Sequence, residues 1–201
     1  MEAWHKLFPI GKRRFPPKNV PWNGRLVTLR SKHPEDAQKD HAWRSDPVLA
    51  ALDACEPLNL SYEMYRKYQI DEIKSPSAWS VRFAIDTVDG HHIGNCMVYD
   101  VDYKKRHAEI GIMIGDKTYW DRGYGTDAIL TLVNGIFGTT DLDYLYLHTL
   151  AGNIRAQQAF TNAGFCPVRS VTREGNHFIF MEALRDEWLQ RHKLPEERSE
   201  T

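Results

Sequence analysis

Within the stretch IGIMIGDKTYWDRGYGTDAIL (residues 110–130) the hydrophobic period changes, and that change limits the folds open to the chain. Ile110, Ile112 and Ile114 alternate with a period of two, the mark of a half-buried strand. Ala128, Ile129, Leu132, Val133, Ile136 and Phe137 then recur at the spacing of one helix face. Between the two patterns stand Gly123, Tyr124 and Gly125. A strand therefore enters a loop whose glycines leave N–H groups uncovered at the opening of a helix, where the aligned peptide dipoles are positive. Such a turn suits a pyrophosphate, with Arg122 and Lys117 adding positive charge and Thr126 a hydroxyl donor. A glycine pair alone is better explained as a plain strand-to-helix link, so its context must decide. A Walker A loop is excluded, because no Lys-Ser/Thr pair follows the glycines. GYGTDA fits the GxGxxA string of dinucleotide-binding folds. Against that reading, DKTYWD separates the strand from the first glycine, and Leu150, Ala151 and Gly152 stand where that fold needs an acidic residue.

The flanking segments extend the pattern. Residues 1–24, with KRRFPPKNVPWNG at their end, carry basic residues and prolines that forbid a regular helix, so an extended basic arm is expected. Its basic cluster could touch an acidic partner, or its aromatic residues Trp4, Phe8 and Trp22 would lay it across the domain of residues 25–183. A strand over 25–31 leads to helices around 34–44 and 61–73. Strands follow in SVRFAID, in HHIGNCMVYDV after the Asp89-Gly90 turn, and in HAEIGIMI, as an antiparallel meander. After the amphipathic helix come a strand, YLYLHTL, a helix, IRAQQAFTNAG, closed by Gly164, and a late strand, HFIFM. Residues 184–201 read as a short helix and a polar tail. The fold class is α/β (α+β), a mixed, mostly antiparallel sheet of about seven strands flanked by helices.

Charge narrows the function classes. With 26 basic and 27 acidic side chains, no global field draws the chain to nucleic acid or anionic lipid. No apolar run reaches the length of a membrane span or a signal peptide, so a cytoplasmic location and no membrane partner are expected. Cys55, Cys96 and Cys166 form neither a CxxC pair nor a zinc spacing; they read as reduced thiols, and no metal is expected.

WDRGYGTD before the central helix, NIRAQQAFTNAGF from Asn153 to Phe165, and WRSDP from Trp43 to Pro47 occur in the order and spacing of one known family. Over residues 25–182 the chain resembles the GNAT acetyltransferase superfamily, and within it the branch of ribosomal-protein N-terminal acetyltransferases and related polyamine or antibiotic acetylating enzymes. The resemblance implies acetyl-CoA as cosubstrate and direct attack of an amine on the thioester. The acceptor would be a protein N-terminus, a polyamine or an aminoglycoside-like small molecule, and two copies could pair as a homodimer. It also implies that strand HAEIGIMI splays from YLYLHTL to open a CoA groove, where main-chain groups of Ile112, Met113 and Ile114 meet the pantetheine. The diphosphate would sit on Arg122, Gly123, Tyr124, Gly125 and Thr126, with Asn153 on the cofactor amides and Arg155 on an adenosine phosphate.

Glu109 is the candidate base, on the strand face opposite Ile110 and Ile112; the alternative is a strand glutamate paired with a cross-strand cation. His148, on the facing strand, is the other candidate, against a packed strand histidine. The chain departs from the family at Phe160, where a tyrosine that protonates the CoA thiolate is usual, and at Trp120, where Gln or Arg is commonest. The proton then falls to Tyr99, Tyr124 or water, or the chain is a CoA-binding regulatory module without catalysis.

Overall fold

The computed structural model describes residues 20–192 together with Phe15 and Pro17. The strands are β1 (Trp22–Asn23), β2 (Val27–Ser31), β3 (Val81–Thr87), β4 (His92–Asp102), β5 (His107–Ile114), β6 (Tyr144–Leu150), β7 (Cys166–Arg173) and β8 (Asn176–Leu184). The helices are α1 (Ala37–Ser45), α2 (Pro47–Leu52), α3 (Tyr62–Lys74), α4 (Tyr124–Thr139), α5 (Ile154–Ala163) and α6 (Arg185–Arg191). All the strands join one sheet in the order β1-β2-β3-β4-β5-β6-β8-β7, antiparallel throughout except for the β5–β6 pair. The expected mixed, mostly antiparallel sheet flanked by helices is present, with eight strands rather than seven. Most of the basic arm and the polar tail beyond His192 lie outside the described residues.

Alternation explains how the sheet gains its core. In β6, Leu145, Leu147 and Thr149 turn inward while Tyr144, Tyr146 and His148 turn to the other face. Val27, Leu29, Phe83, Ile85, Val98, Ala108 and Ile110 share the inward face and meet the apolar side of α4. That helix face, Ala128 to Phe137, is buried as its spacing predicts, and Trp188 of α6 closes the far end, edge-on to Phe137 at 6.3 Å. Asp127, in the first turn of α4, ties the helix to the sheet edge by accepting from the N–H groups of Arg25, Leu26 and Val27.

The opposite face of the first half-sheet meets α1 and the turn before it through buried charge. Arg30 bridges Asp36 at 2.8 Å and Asp86 at 2.6 Å, Lys32 bridges Asp40 at 2.5 Å, and His92 lies between Asp40 and Asp86. Burial alone would push Asp36 up, but hydrogen bonds from Arg30 and the His33 N–H hold its carboxyl far below the usual range.

One feature of the sheet positions the site. β5 pairs with β6 only over His107–Glu109 and Tyr144–Tyr146. Beyond that point β5 stays with β4 as far as Ile114, while β6 stays with β8 as far as Leu150. Each strand keeps its outer neighbour, and the sheet parts between them.

Candidate active site

The parted strands open onto a cleft of about 380 Å³. Its floor is Ile112, Met113 and Ile114 of β5; its walls are the first turns of α4, with Gly125, Thr126 and Ile129, and α5, with Asn153, Arg155, Ala156, Ala159 and Phe160. Leu49 and Leu52 of α2, with Asp53, close another side. Most of the expected binding residues are thus brought to one cavity, from segments that lie far apart in sequence.

The α4 end of the cleft is built for an anion. Gly123 caps the helix in the left-handed region (φ 83°), where a side chain would strain the backbone. At Gly125 an added Cβ would meet only Ala159 and Ile114 at 3.9 Å, so the fold tolerates a side chain there but the cleft would lose space. The first turn of a helix leaves N–H groups without intrahelical acceptors; here the helical ladder begins with the Asp127 N–H on the Gly123 carbonyl. The carboxylate of Asp127 is turned to the β2 edge, so it does not oppose an anion in the cleft. Bare amides, a positive helix end and the open space left by Gly125 fit a diphosphate.

The flanking cations are disposed differently from their expected places. Lys117 pairs with Asp46 at 2.7 Å, and Asp46 also caps α2 by accepting from Val48 and Leu49. Arg122 and Tyr124 do not line the cleft; the Arg122 guanidinium donates to the Thr118 carbonyl and lies over Tyr119, which meets Tyr124 edge-on. Arg155 does line it, stacked 3.4 Å over the ring of Trp120. The Trp120 indole N–H donates to the Ile114 carbonyl at 2.7 Å, so this tryptophan bridges the end of β5 and the start of α5. Asn153 caps α5 through its Oδ1, which accepts the Ala156 N–H, and its amide nitrogen has no partner among the described residues.

The strand carbonyls divide by alternation. Ile114 presents its carbonyl to the open side, where Trp120 takes it, and Ile112, two residues back, faces the same way. The Met113 carbonyl points instead toward Gly94 of β4. Of the three expected main-chain partners, Ile112 is the one wholly free toward the cleft.

Glu109 and His148 are not on the lining; they sit together where the strands begin to part. Glu109 is the last β5 residue paired to β6, and its Oε1 lies 2.8 Å from His148 Nδ1. Both side chains are more than nine-tenths buried. The alternative partner for Glu109, a cross-strand Lys or Arg, is not what the structure shows. Across β4 stands Tyr99, whose hydroxyl burial, and next the charge of Glu109, push well above the usual phenol range. Phe160 packs edge-on against Phe165 at 5.8 Å and offers the cleft no proton. Two hydroxyl-bearing residues line the cleft, Thr126 and Tyr119, and the second of these sequence reasoning missed. Among the described residues no group of three or more His, Cys, Asp or Glu could hold a metal, and no helix is long and apolar enough to cross a membrane.

Residues 26–166 match the family described as acetyltransferase (GNAT) domain. Comparison with curated proteins finds no sequence match. Among solved structures, a spermidine N-acetyltransferase from Vibrio cholerae in complex with CoA and spermine aligns with a TM-score of 0.73 and 20% identity, covering 82% of this chain and 98% of that one. An aminoglycoside acetyltransferase in complex with coenzyme A aligns with a TM-score of 0.69 and 16% identity, covering 84% and 99%. A GNAT-family acetyltransferase from Bacillus anthracis aligns with a TM-score of 0.69 and 12% identity, covering 83% and 99%.

Proposed function

This chain belongs to the GNAT acetyltransferase family, and from that premise we propose that it is an N-acetyltransferase using acetyl-CoA to acylate a primary amine. One observation carries the reading: the bare first turn of α4 and the gap between β5 and β6 open into the same cleft. Gly125 and Thr126 N–H groups, beside Gly123, would hold the diphosphate, Ile112 would pair with the pantetheine, and its N–H would polarise the thioester carbonyl. Arg155, Asn153 and the Trp120 ring would engage the rest of the nucleotide end. Phe160 and Ile129 pack the apolar wall.

The acceptor would approach from the other face of the sheet, where Glu109 lies. The amine nitrogen bonds to the acetyl carbon as the carbon–sulfur bond breaks; the amine proton passes to Glu109, and the thiolate leaves with the electron pair to be protonated by water or a nearby tyrosine. A small polyamine or aminoglycoside-like amine is favoured by the two aligned CoA complexes, one described with spermine and one as an aminoglycoside acetyltransferase. WRSDP and WDRGYGTD support the ribosomal-protein N-terminal acetylating branch, which adds a peptide N-terminus to the acceptors. Three free thiols accord with a cytoplasmic setting.

Phe160 favours one second reading, a CoA-binding regulatory module without turnover. Free-thiol release from acetyl-CoA with a panel of polyamines, aminoglycosides and short peptides separates the two. Turnover above the amine-free rate supports the enzyme; tight CoA binding without turnover supports the module.

A further inference from the structure

His148 has one ring nitrogen engaged and one that is not. Its Nδ1 lies 2.8 Å from Glu109 Oε1. Its Nε2 is buried and has no partner. The ring stands on edge against Tyr146 and Phe178 and close to Phe180, which leaves no acceptor beside Nε2 among the described residues. A proton on Nε2 would bury a donor with nothing to receive it, whereas an unprotonated Nε2 leaves only a lone pair unmet, the more readily tolerated of the two. An ionised carboxylate is purely an acceptor, so the shared hydrogen belongs on Nδ1.

Glu109 is the last residue of β5 still laddered to β6, and His148 lies two residues along β6, just past the final pair. Where main-chain pairing ends, this side-chain bridge takes over and ties a carboxylate on one parted strand to the other. Tyr99 flanks the carboxylate from β4.

We propose that His148 is a positioning residue, a neutral imidazole that donates Nδ1–H to Glu109 and so fixes the ionised carboxylate that takes the acceptor's proton. The proposal rests on the acetyltransferase reading. In it His148 does not touch the amine; it holds Oε1 so that Oε2 faces the proton. This differs from a dyad in which histidine is the base and glutamate its orienter.

The test uses the full chain, two variants and one spectrum. Asn places an amide N–H close to where Nδ1 stands, whereas Phe fills the ring's space and donates nothing. His148→Asn should keep kcat within about fivefold of wild type, and His148→Phe should lower it by about 10²-fold, with KM for acetyl-CoA unchanged in both. Nitrogen-15 imidazole NMR of the wild-type chain at neutral pH should show the proton on Nδ1 and a bare Nε2, whether or not His148→Phe folds. An Nε2–H tautomer or an imidazolium overturns the proposal. So does His148→Asn falling as far as His148→Phe, which would make the imidazole the base, or His148→Phe retaining wild-type kcat. Absence of turnover by the wild-type chain with every amine overturns the acetyltransferase reading and the proposal with it.

Discussion

Gly125 separates binding from folding more cleanly than its neighbour does. Replacing Gly123, at φ 83°, strains the backbone whatever the ligand does. Gly125 is helical, and a methyl there meets only ordinary contacts at 3.9 Å. Gly125→Ala should therefore leave the melting temperature unchanged or raised, since alanine is the better helix former. It should weaken CoA by at least about tenfold, or ~1.4 kcal/mol, as read by calorimetry. At this scale the glycine turn was legible because glycine's freedom is written in its identity. The tether of Lys117 to Asp46 and the seat of Arg155 on Trp120 were not, because a charged side chain's partner depends on what the fold brings near it. Glu109 and His148 were each legible as polar residues on a strand; their meeting across 39 positions was not.

Elements were readable where one face is buried and the other is not. β5 and β6 fall on HAEIGIMI and YLYLHTL as read, and α4 begins at Tyr124 and runs two residues past the expected Phe137, because in each the apolar period is regular. β7 went unread because CPVRSVTR is an edge strand exposed on nearly every residue, so it shows no alternation. α2 went unread because six residues, PVLAAL, are too few for a helical period to declare itself. The parting of β5 from β6 has no local signature, since it is set by each strand's pairing with its outer neighbour. α4 holds both half-sheets to one core, so Leu132→Ala, at a fully buried site, should cost roughly 2–5 kcal/mol in denaturant unfolding. A change below about 1 kcal/mol would show that the helix is not packed as described.

The molecule as a whole joins an apolar core on one side of the sheet to a buried charge network on the other. Asp36 has its pKa depressed below the unfolded value of 3.8, and Asp40 is shifted the same way because His92, Lys32 and Asn95 together outweigh its burial. A depressed carboxylate contributes stability that is complete above the unfolded pKa and is lost as pH falls below it toward the folded one. The melting temperature should thus hold between about pH 7 and 5 and fall steeply below about pH 4. Asp36→Asn should be less stable at neutral pH and lose less on acidification. A variant as acid-sensitive as wild type would remove Asp36 from that role.

These packed layers serve one arrangement, uncovered amides at the start of α4 facing a gap between two strands. Amide NMR during titration with CoA tests it directly. The account predicts that the Gly123, Gly125, Thr126 and Ile112 N–H resonances move together, while those of the β7–β8 turn at Glu174 and Gly175 stay in place. Binding that leaves the α4 amides unmoved, or moves them no more than the distant turn, would contradict it.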